Sequence, residues 1–159
     1  MIVVSNTSPI LDFEDELADL KSKHRNCCYD YPDPNYPNKK FTGCTTAHFK
    51  KYNGEKVYGI YVVRRKSDWQ VLYIGRAGKI KQDGKIVKQD IPERLKKLRE
   101  NDILANKWFG ELSKCEGTLT IEYVVLTNPI KTSSGLVEAI LLQAYLNEKG
   151  CLPCKNKEF

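Results

Sequence analysis

Four polar side chains stand out because they lie in apolar segments, where a polar group needs a partner. Glu138 lies in the apolar run of residues 136–142, and a carboxylate there is costly unless it is paired or coordinates a metal ion. Arg94 borders the apolar stripe of another predicted helix, from which a guanidinium could hold a phosphate oxygen with two hydrogen bonds. Tyr61 and Tyr73 lie in two neighbouring apolar segments that favour strands.

Each of these residues also has a simpler interpretation. The two tyrosines could be packed strand aromatics, and Glu138 could be an acid favoured by the dipole of its helix. Arg94 could be one charge on a solvated helix face that also carries Lys96, Lys97 and Arg99. The chemistry therefore depends on whether the fold brings the four residues together.

The segments that carry the tyrosines predict a hairpin. Residues 57–63 and 71–75 are rich in β-branched and aromatic residues, and a polar turn near Ser67 and Asp68 separates them. Residues 118–126 show the same composition and predict a third strand. The sequence thus indicates an α+β fold with a small three-stranded antiparallel sheet flanked by helices.

Two helices are predicted to carry the charged candidates. Pro92 suits the first turn of a helix that runs through residues 93–104, and residues 108–112 predict another helical turn or two. Ser134 begins a helix that runs to Glu148 and that Gly150 terminates. The predicted buried face of the first helix consists of Ile91, Leu95 and Leu98. The predicted order is β-β-α-α-β-α.

A basic hairpin is predicted between the second strand and the first of these helices. Residues 79–88 contain two short apolar segments around Asp83-Gly84, a pair typical of tight turns. The hairpin and the helix after it are rich in lysine, which favours binding to a phosphate backbone. The candidate nucleic-acid contacts are Lys79, Lys81, Lys85, Lys88 and Lys97.

The first 56 residues are predicted to form an N-terminal helix and an arm. Residues 12–23 predict a short peripheral helix with a thin apolar stripe and many acids. Residues 26–53 are rich in Tyr, Pro and Asn, and Pro32, Pro34 and Pro37 argue against a regular helix or a central strand. We therefore divide the chain into residues 1–56 and a second domain, residues 57–159, which carries the four polar candidates.

The two tyrosine motifs together resemble the signature of the GIY-YIG nuclease family. Residues 59–61 read Gly-Ile-Tyr and residues 73–75 read Tyr-Ile-Gly. Members of that family carry an Arg in the first helix, a Glu in a later apolar helix and often an Asn after a Pro, which Arg94, Glu138 and Asn156 match in order. The resemblance covers about two thirds of the chain and leaves the first 56 residues unexplained.

This resemblance implies a metal-dependent endonuclease with the GIY-YIG fold. Glu138 would bind a single divalent cation, Mg²⁺ or Mn²⁺, on the scissile phosphate. Tyr61 would be the general base, and since a free phenol has a pKa of ~10 it would need a cation nearby. Tyr73 would orient the water or hydrogen-bond the phosphate, Arg94 would hold a phosphate oxygen, and Arg76 would add positive field. Asn156 is placed among the nucleic-acid contacts.

The chain departs from many members of the family in two ways. It inserts the basic hairpin before the Arg helix, and it has Leu98 one turn after Arg94, where relatives carry a His. Any mechanism that uses histidine as the base is therefore in doubt.

Composition and charge agree with a protein that binds a polyanion. The 159 residues have a net charge of +6, and all 26 basic residues but only 15 of the 20 acids follow residue 20, which gives that part +11. No apolar run approaches the ~20 residues of a bilayer span, and no secretory signal is readable, so we expect a cytoplasmic protein without a membrane partner. In that compartment the six cysteines should be mostly reduced thiols.

Several alternatives stay open from the sequence alone. His24, Cys27, Cys44 and His48 could form a zinc site, although their spacing matches no established finger pattern.

The chain could be a non-catalytic nucleic-acid-binding module on the same scaffold, or a structure-specific repair or recombination nuclease. The absence of an obvious second DNA-reading segment favours a restriction-type or phage-type enzyme acting on double-stranded DNA. Cutting both strands with one small site calls for a homodimer.

Overall fold

A four-stranded antiparallel sheet is the centre of the fold in the computed structural model, which describes residues 10–97, 103–127 and 131–159. Its strands are β1 (Asn26–Tyr31), β2 (Gly59–Arg65), β3 (Val71–Ala77) and β6 (Leu119–Val125), in the order β1-β6-β2-β3. A separate hairpin, formed by β4 (Lys79–Ile80) and β5 (Ile86–Val87), follows β3. The predicted α+β class and both predicted hairpins are confirmed, but the prediction of three strands is wrong.

The fourth strand, β1, comes from the segment that we predicted to be an arm. Tyr29 is buried, and Cys27 and Tyr31 pack against the same core, so alternate residues of β1 face inward. The prolines begin at residue 32 and end the strand rather than exclude it, and an edge strand needs partners on one side only. Residues on both sides of the predicted boundary at residue 56 therefore contribute to one sheet.

Helices cover both faces of the sheet. The first face packs against α1 (Phe13–Lys23) and α5 (Ser134–Lys149), and the second packs against α2 (Phe41–Phe49), α3 (Ile91–Lys96) and α4 (Ala105–Glu116). A short helical turn, Lys50–Tyr52, follows α2. The sequence analysis missed α2 and predicted α4 too short, whereas α1 and α5 are confirmed. Helix α3, predicted to run to residue 104, ends at Lys96. Leu98, predicted on its buried face, and Arg99 lie outside the described residues.

Buried charges attach α1 to the sheet, so this helix is not the peripheral element that we predicted. The Arg64 side chain on β2 is 1% exposed and is bonded to Glu122 of β6, which is also bonded to Lys21 of α1. The Arg64 guanidinium donates to both carboxylate oxygens of Glu14, over 2.7 and 3.1 Å. Its remaining bond, of 3.0 Å, goes to the backbone carbonyl of Trp69. Helix α1 is therefore held by ionic contacts as well as by apolar packing.

Candidate active site

An open cleft of about 480 Å³ runs along the outer edge of β3, between the two layers of helices. Because β3 is the last strand of the sheet, side chains from both faces can reach this edge. Strand β3 contributes Tyr73 and Arg76, α3 contributes Arg94, and α5 contributes Glu138. The structure therefore brings four of the five predicted catalytic side chains to one cleft.

Glu138 lies in the second turn of α5 and is largely buried. The Ser133 hydroxyl caps the helix by accepting from the Leu136 N–H at 3.2 Å, and the Ser134 hydroxyl donates to the Gly78 carbonyl at 3.0 Å. These contacts fix the start of α5 against the segment that follows β3. Burial raises the pKa of the Glu138 carboxyl, and the charges of Arg76 and Arg94 offset part of that rise.

Arg76 is the nearest cation to Glu138. Its Nε lies 3.6 Å from a carboxylate oxygen of Glu138, and its side chain is 54% exposed. A Cβ at Gly135, in the first turn of α5, would lie 2.3 Å from the Arg76 Nη1. The absence of a side chain at residue 135 therefore makes room for the guanidinium. The sequence analysis did not identify this glycine, because its function depends on how α5 lies against β3.

Arg94 reaches the cleft because a buried aspartate orients its helix. Asp90 accepts from the backbone N–H of Glu93 at 3.2 Å, which caps α3, and from the N–H of Val57 at 3.1 Å. Asp90 is 3% exposed, and burial raises the pKa of its carboxyl. The sequence analysis missed this residue, although an Asp directly before an Ile-Pro-Glu helix start is a recognisable N-cap pattern.

Tyr61 and Tyr73 have different exposures. The two rings stack with centroids 6.1 Å apart, but Tyr73 lines the cleft, whereas Tyr61 is completely buried and does not line it. The reason is the strand order, because Tyr61 lies on β2, one strand in from the edge. Trp108 packs edge-on against the Tyr73 ring at 5.8 Å. The assignment of Tyr61 as general base stays a prediction.

Both glycines of the two tyrosine motifs have a steric function. A Cβ at Gly59 would lie 1.9 Å from the Val124 carbonyl oxygen on β6. A Cβ at Gly75 would lie 2.4 to 2.6 Å from atoms of the Tyr61 ring and hydroxyl, because Tyr61 and Gly75 are paired across β2 and β3. The glycines therefore allow the strands to pair closely and the Tyr61 ring to lie flat on β3.

Asn156 lies at the cleft, but its side chain binds the protein. Its amide oxygen accepts from the Ile74 N–H and its amide nitrogen donates to the Ile74 carbonyl, both at 2.9 Å. The backbone N–H of Lys155 donates to the Leu72 carbonyl at 2.9 Å. Asn156 therefore anchors the C-terminal segment to β3, and its assignment as a nucleic-acid contact stays a prediction.

The predicted lysine contacts lie at three places. Lys79 and Lys88 line a groove of about 480 Å³ together with Arg76 and Arg94, so this groove adjoins the cleft. Lys81 and Lys85 lie farther along the hairpin, where the Lys81 N–H donates to the Lys85 carbonyl at 2.8 Å. Lys97 is exposed at the end of α3 and lines neither the cleft nor the groove.

The cleft suits a divalent cation that takes some of its ligands from one protein carboxylate and the others from the substrate. Magnesium is commonly bound by one or two carboxylates, water and substrate phosphates. Glu138 supplies such a carboxylate. Its raised pKa shows that burial destabilises the charged form, which a nearby cation stabilises. No group of three or more His, Cys, Asp or Glu side chains with metal-binding geometry occurs in the described residues.

Three of the four alternative zinc ligands are engaged with other partners, and among the described residues the buried Nδ1 of the fourth, His24, has no hydrogen-bond partner. Cys27 accepts from Lys51, His48 bonds the Tyr123 hydroxyl at 2.8 Å, and the Cys44 thiol faces the Lys39 carbonyl at 3.7 Å. His24, Cys27, Cys44 and His48 therefore do not form a zinc site in the part of the chain that the structure describes.

Comparisons with known proteins identify no family for the chain. No family model, no curated protein and no solved structure matches the chain. Across residues 10–97, 103–127 and 131–159, no helix combines the length and apolarity needed to cross a membrane.

Proposed function

We propose that the chain is a metal-dependent endonuclease that hydrolyses phosphodiester bonds, with double-stranded DNA as its substrate and a restriction-type or phage-type role. The observation that supports this is the convergence of Tyr73, Arg76, Arg94 and Glu138 on one cleft from three separate elements. The adjoining groove with Lys79 and Lys88 offers a path for the flanking phosphates.

The cleft residues supply what phosphodiester hydrolysis requires. The reaction needs an activated water and compensation for charge that builds up on the phosphate oxygens. Arg76 and Arg94 neutralise that charge, and Arg94 can do so with two parallel hydrogen bonds. Glu138 holds one Mg²⁺ or Mn²⁺, which when bound supplies Lewis-acid stabilisation of the phosphate.

We assign the direct contact with the water or the phosphate to Tyr73. Its ring lines the cleft, whereas Tyr61 is completely buried and does not line it. Arg76 and Arg94 line the same cleft, so their positive charges favour an anionic phosphate beside Tyr73. In this arrangement Tyr61 positions the Tyr73 ring through their stacked contact.

Paired Phe variants test the division between the two tyrosines. Each substitution removes one hydroxyl and keeps the ring, so the fold and DNA binding should persist in both. We expect Tyr73→Phe to lower the cleavage rate about a hundredfold or more and Tyr61→Phe to lower it about tenfold. Single-turnover cleavage and gel-shift affinity on the same preparations measure this. The reverse order would restore Tyr61 as the general base, and a fully active Tyr73→Phe would remove Tyr73 from the site.

A non-catalytic nucleic-acid-binding module is the second candidate function. It is favoured by the Arg76–Glu138 ion pair, because a carboxylate that already has a cationic partner needs no metal. A plasmid assay separates the two functions. Supercoiled DNA that is nicked or linearised with Mg²⁺ or Mn²⁺ but not with EDTA supports the nuclease, and bound but intact DNA under all three conditions supports the module. Mapping the cut ends then identifies the target.

The salt dependence of DNA binding tests the groove beside the cleft. Each phosphate contact that is lost should lower the slope of log K against log salt by about 0.9. We therefore expect the double variant Lys79→Gln/Lys88→Gln to reduce the slope by about 2, and the matched variant Lys81→Gln/Lys85→Gln to reduce it less. Fluorescence anisotropy across a salt series measures both. A larger effect at Lys81 and Lys85 would place the DNA backbone at the end of the hairpin instead.

A further inference from the structure

A second cluster of ionisable side chains lies at the opposite edge of the sheet from the cleft. Cys27 on β1 and Lys51 in the turn after α2 are in contact, with 2.9 Å between Lys51 Nζ and Cys27 Sγ. Cys27 is paired with Tyr123 across β1 and β6, so their side chains lie on the same face of the sheet. The proposed nuclease mechanism uses none of these groups.

The surroundings of Cys27 favour the thiolate, which is the reactive form of cysteine. Burial alone would raise the pKa of the Cys27 thiol, but the Lys51 ammonium and hydrogen bonds to Cys28 and Tyr123 lower it overall. By contrast, burial raises the pKa of the neighbouring Cys28 thiol and of Cys44. Direct contact with an ammonium group therefore distinguishes Cys27 from these two cysteines.

The side chains around the pair are held in place. The Lys51 ammonium lies 5.4 Å from the centre of the Tyr52 ring, a cation–π contact. The Tyr123 hydroxyl bonds to the Tyr52 hydroxyl at 2.7 Å and to His48 at 2.8 Å. Burial lowers the pKa of His48 to about 4, so at neutral pH the positive charge beside Cys27 comes from Lys51.

We propose that Cys27 and Lys51 form a peroxide-sensitive site at which the two side chains become joined by a reversible sulfur–nitrogen bond. The thiolate sulfur attacks one oxygen of a peroxide, so that an S–O bond forms and the O–O bond breaks. The departing hydroxide takes a proton from the Lys51 ammonium and leaves as water. Sulfur is oxidised by two electrons to sulfenic acid, and the peroxide is reduced.

The second step can follow directly, because the Lys51 nitrogen is already in contact with the Cys27 sulfur. Lys51 is now a neutral amine beside the sulfenic sulfur, and its nitrogen attacks that sulfur. The S–N bond forms, the S–O bond breaks, and the hydroxyl leaves with one amine proton as water. Two equivalents of an external thiol reverse the reaction, which returns the thiol and the amine and yields the disulfide of the reductant.

Mass spectrometry of the peroxide-treated full chain tests this. A Cys28→Ser background excludes a disulfide between neighbouring cysteines, which would have the same mass. We expect the loss of two hydrogen atoms, a tryptic peptide that joins Cys27 to Lys51, and reversal by dithiothreitol. The melting temperature of the joined species should rise, because the bond links residues 24 positions apart.

Two lysine variants provide the controls. Lys51→Arg keeps the charge but lacks a nucleophilic amine, so Cys27 should still oxidise and stop at a sulfenic acid that dimedone captures. Lys51→Gln removes the cation, so modification of Cys27 should slow about tenfold. The proposal is overturned if no joined peptide forms in the Cys28→Ser protein, if Cys27 reacts no faster than the exposed Cys151, or if Lys51→Gln leaves the rate unchanged.

Discussion

Glu138→Gln is expected to abolish cleavage at any practical Mg²⁺ or Mn²⁺ concentration while DNA binding persists. The amide keeps the size of the side chain but loses the charge that holds the cation. Without metal, binding should tighten, because the substitution removes a carboxylate beside the scissile phosphate. Cleavage and gel-shift affinity, each with and without metal, measure both effects. Glu148→Gln, on an exposed position of the same helix, is the matched control and should behave as wild type.

The same substitution should leave stability unchanged or slightly higher, in a way that depends on pH. Because the pKa of Glu138 is raised above its ordinary value of 4.5, the folded state holds this proton more tightly than the unfolded state does. The wild type therefore loses stability as the pH rises from that ordinary value through the raised one, and the Gln variant does not. The melting-temperature advantage of Glu138→Gln should grow with pH across this window. A variant that melts much earlier would make Glu138 a structural residue, and one that still cuts would remove it from the active site.

Among single substitutions that remove a charge, Glu122→Gln is expected to lower the free energy of unfolding the most, by about 3 kcal/mol. The Glu122 and Arg64 side chains are 4% and 1% exposed, so loss of the carboxylate leaves a buried guanidinium with less compensation. Lys21 loses its partner as well. The free energy of unfolding from urea titrations measures the effect.

A matched variant on the same network is the control for that experiment. The Glu14 side chain also binds Arg64 but is 55% exposed, so Glu14→Gln should cost less than about 1 kcal/mol. Replacing both buried partners at once, as Arg64→Met/Glu122→Leu, should restore most of the loss, because the charges left without these partners, Lys21 and Glu14, are partly exposed to solvent. Equal losses for Glu14→Gln and Glu122→Gln would contradict the view that burial determines the effect.

The elements that could be predicted are those whose pattern is local. The β2–β3 hairpin, the basic hairpin and α5 are each encoded by contiguous residues and by a turn or cap, so the sequence alone identifies them. Strand β1 was missed because its partner, β6, lies about 90 residues away and its own composition resembles a loop. Helix α2 was missed for a related reason, since its residues lie within the same Pro-rich and Tyr-rich region.

The candidate site also combines residues that the sequence identifies with features that only the fold determines. The sequence alone identifies Tyr73, Arg76, Arg94 and Glu138 as candidates, since each is a polar residue in an apolar segment or beside a recognisable motif. The burial of Tyr61 could not be predicted, because it follows from the position of β2 inside the sheet. Gly135 matters only through the packing of α5 on β3, so no local pattern identifies it.

The hydrogen bonds of Asn156 and Lys155 along β3 have a consequence for behaviour in solution. The outer edge of a sheet offers unpaired N–H and C=O groups to which a strand of another molecule can add. Here the C-terminal segment occupies the backbone groups of Leu72 and Ile74. Proteolysis that removed this segment would leave β3 open to edge-to-edge pairing between molecules. We therefore expect residues 155 and 156 to limit edge-to-edge association, in addition to lining the cleft or the surface beside it.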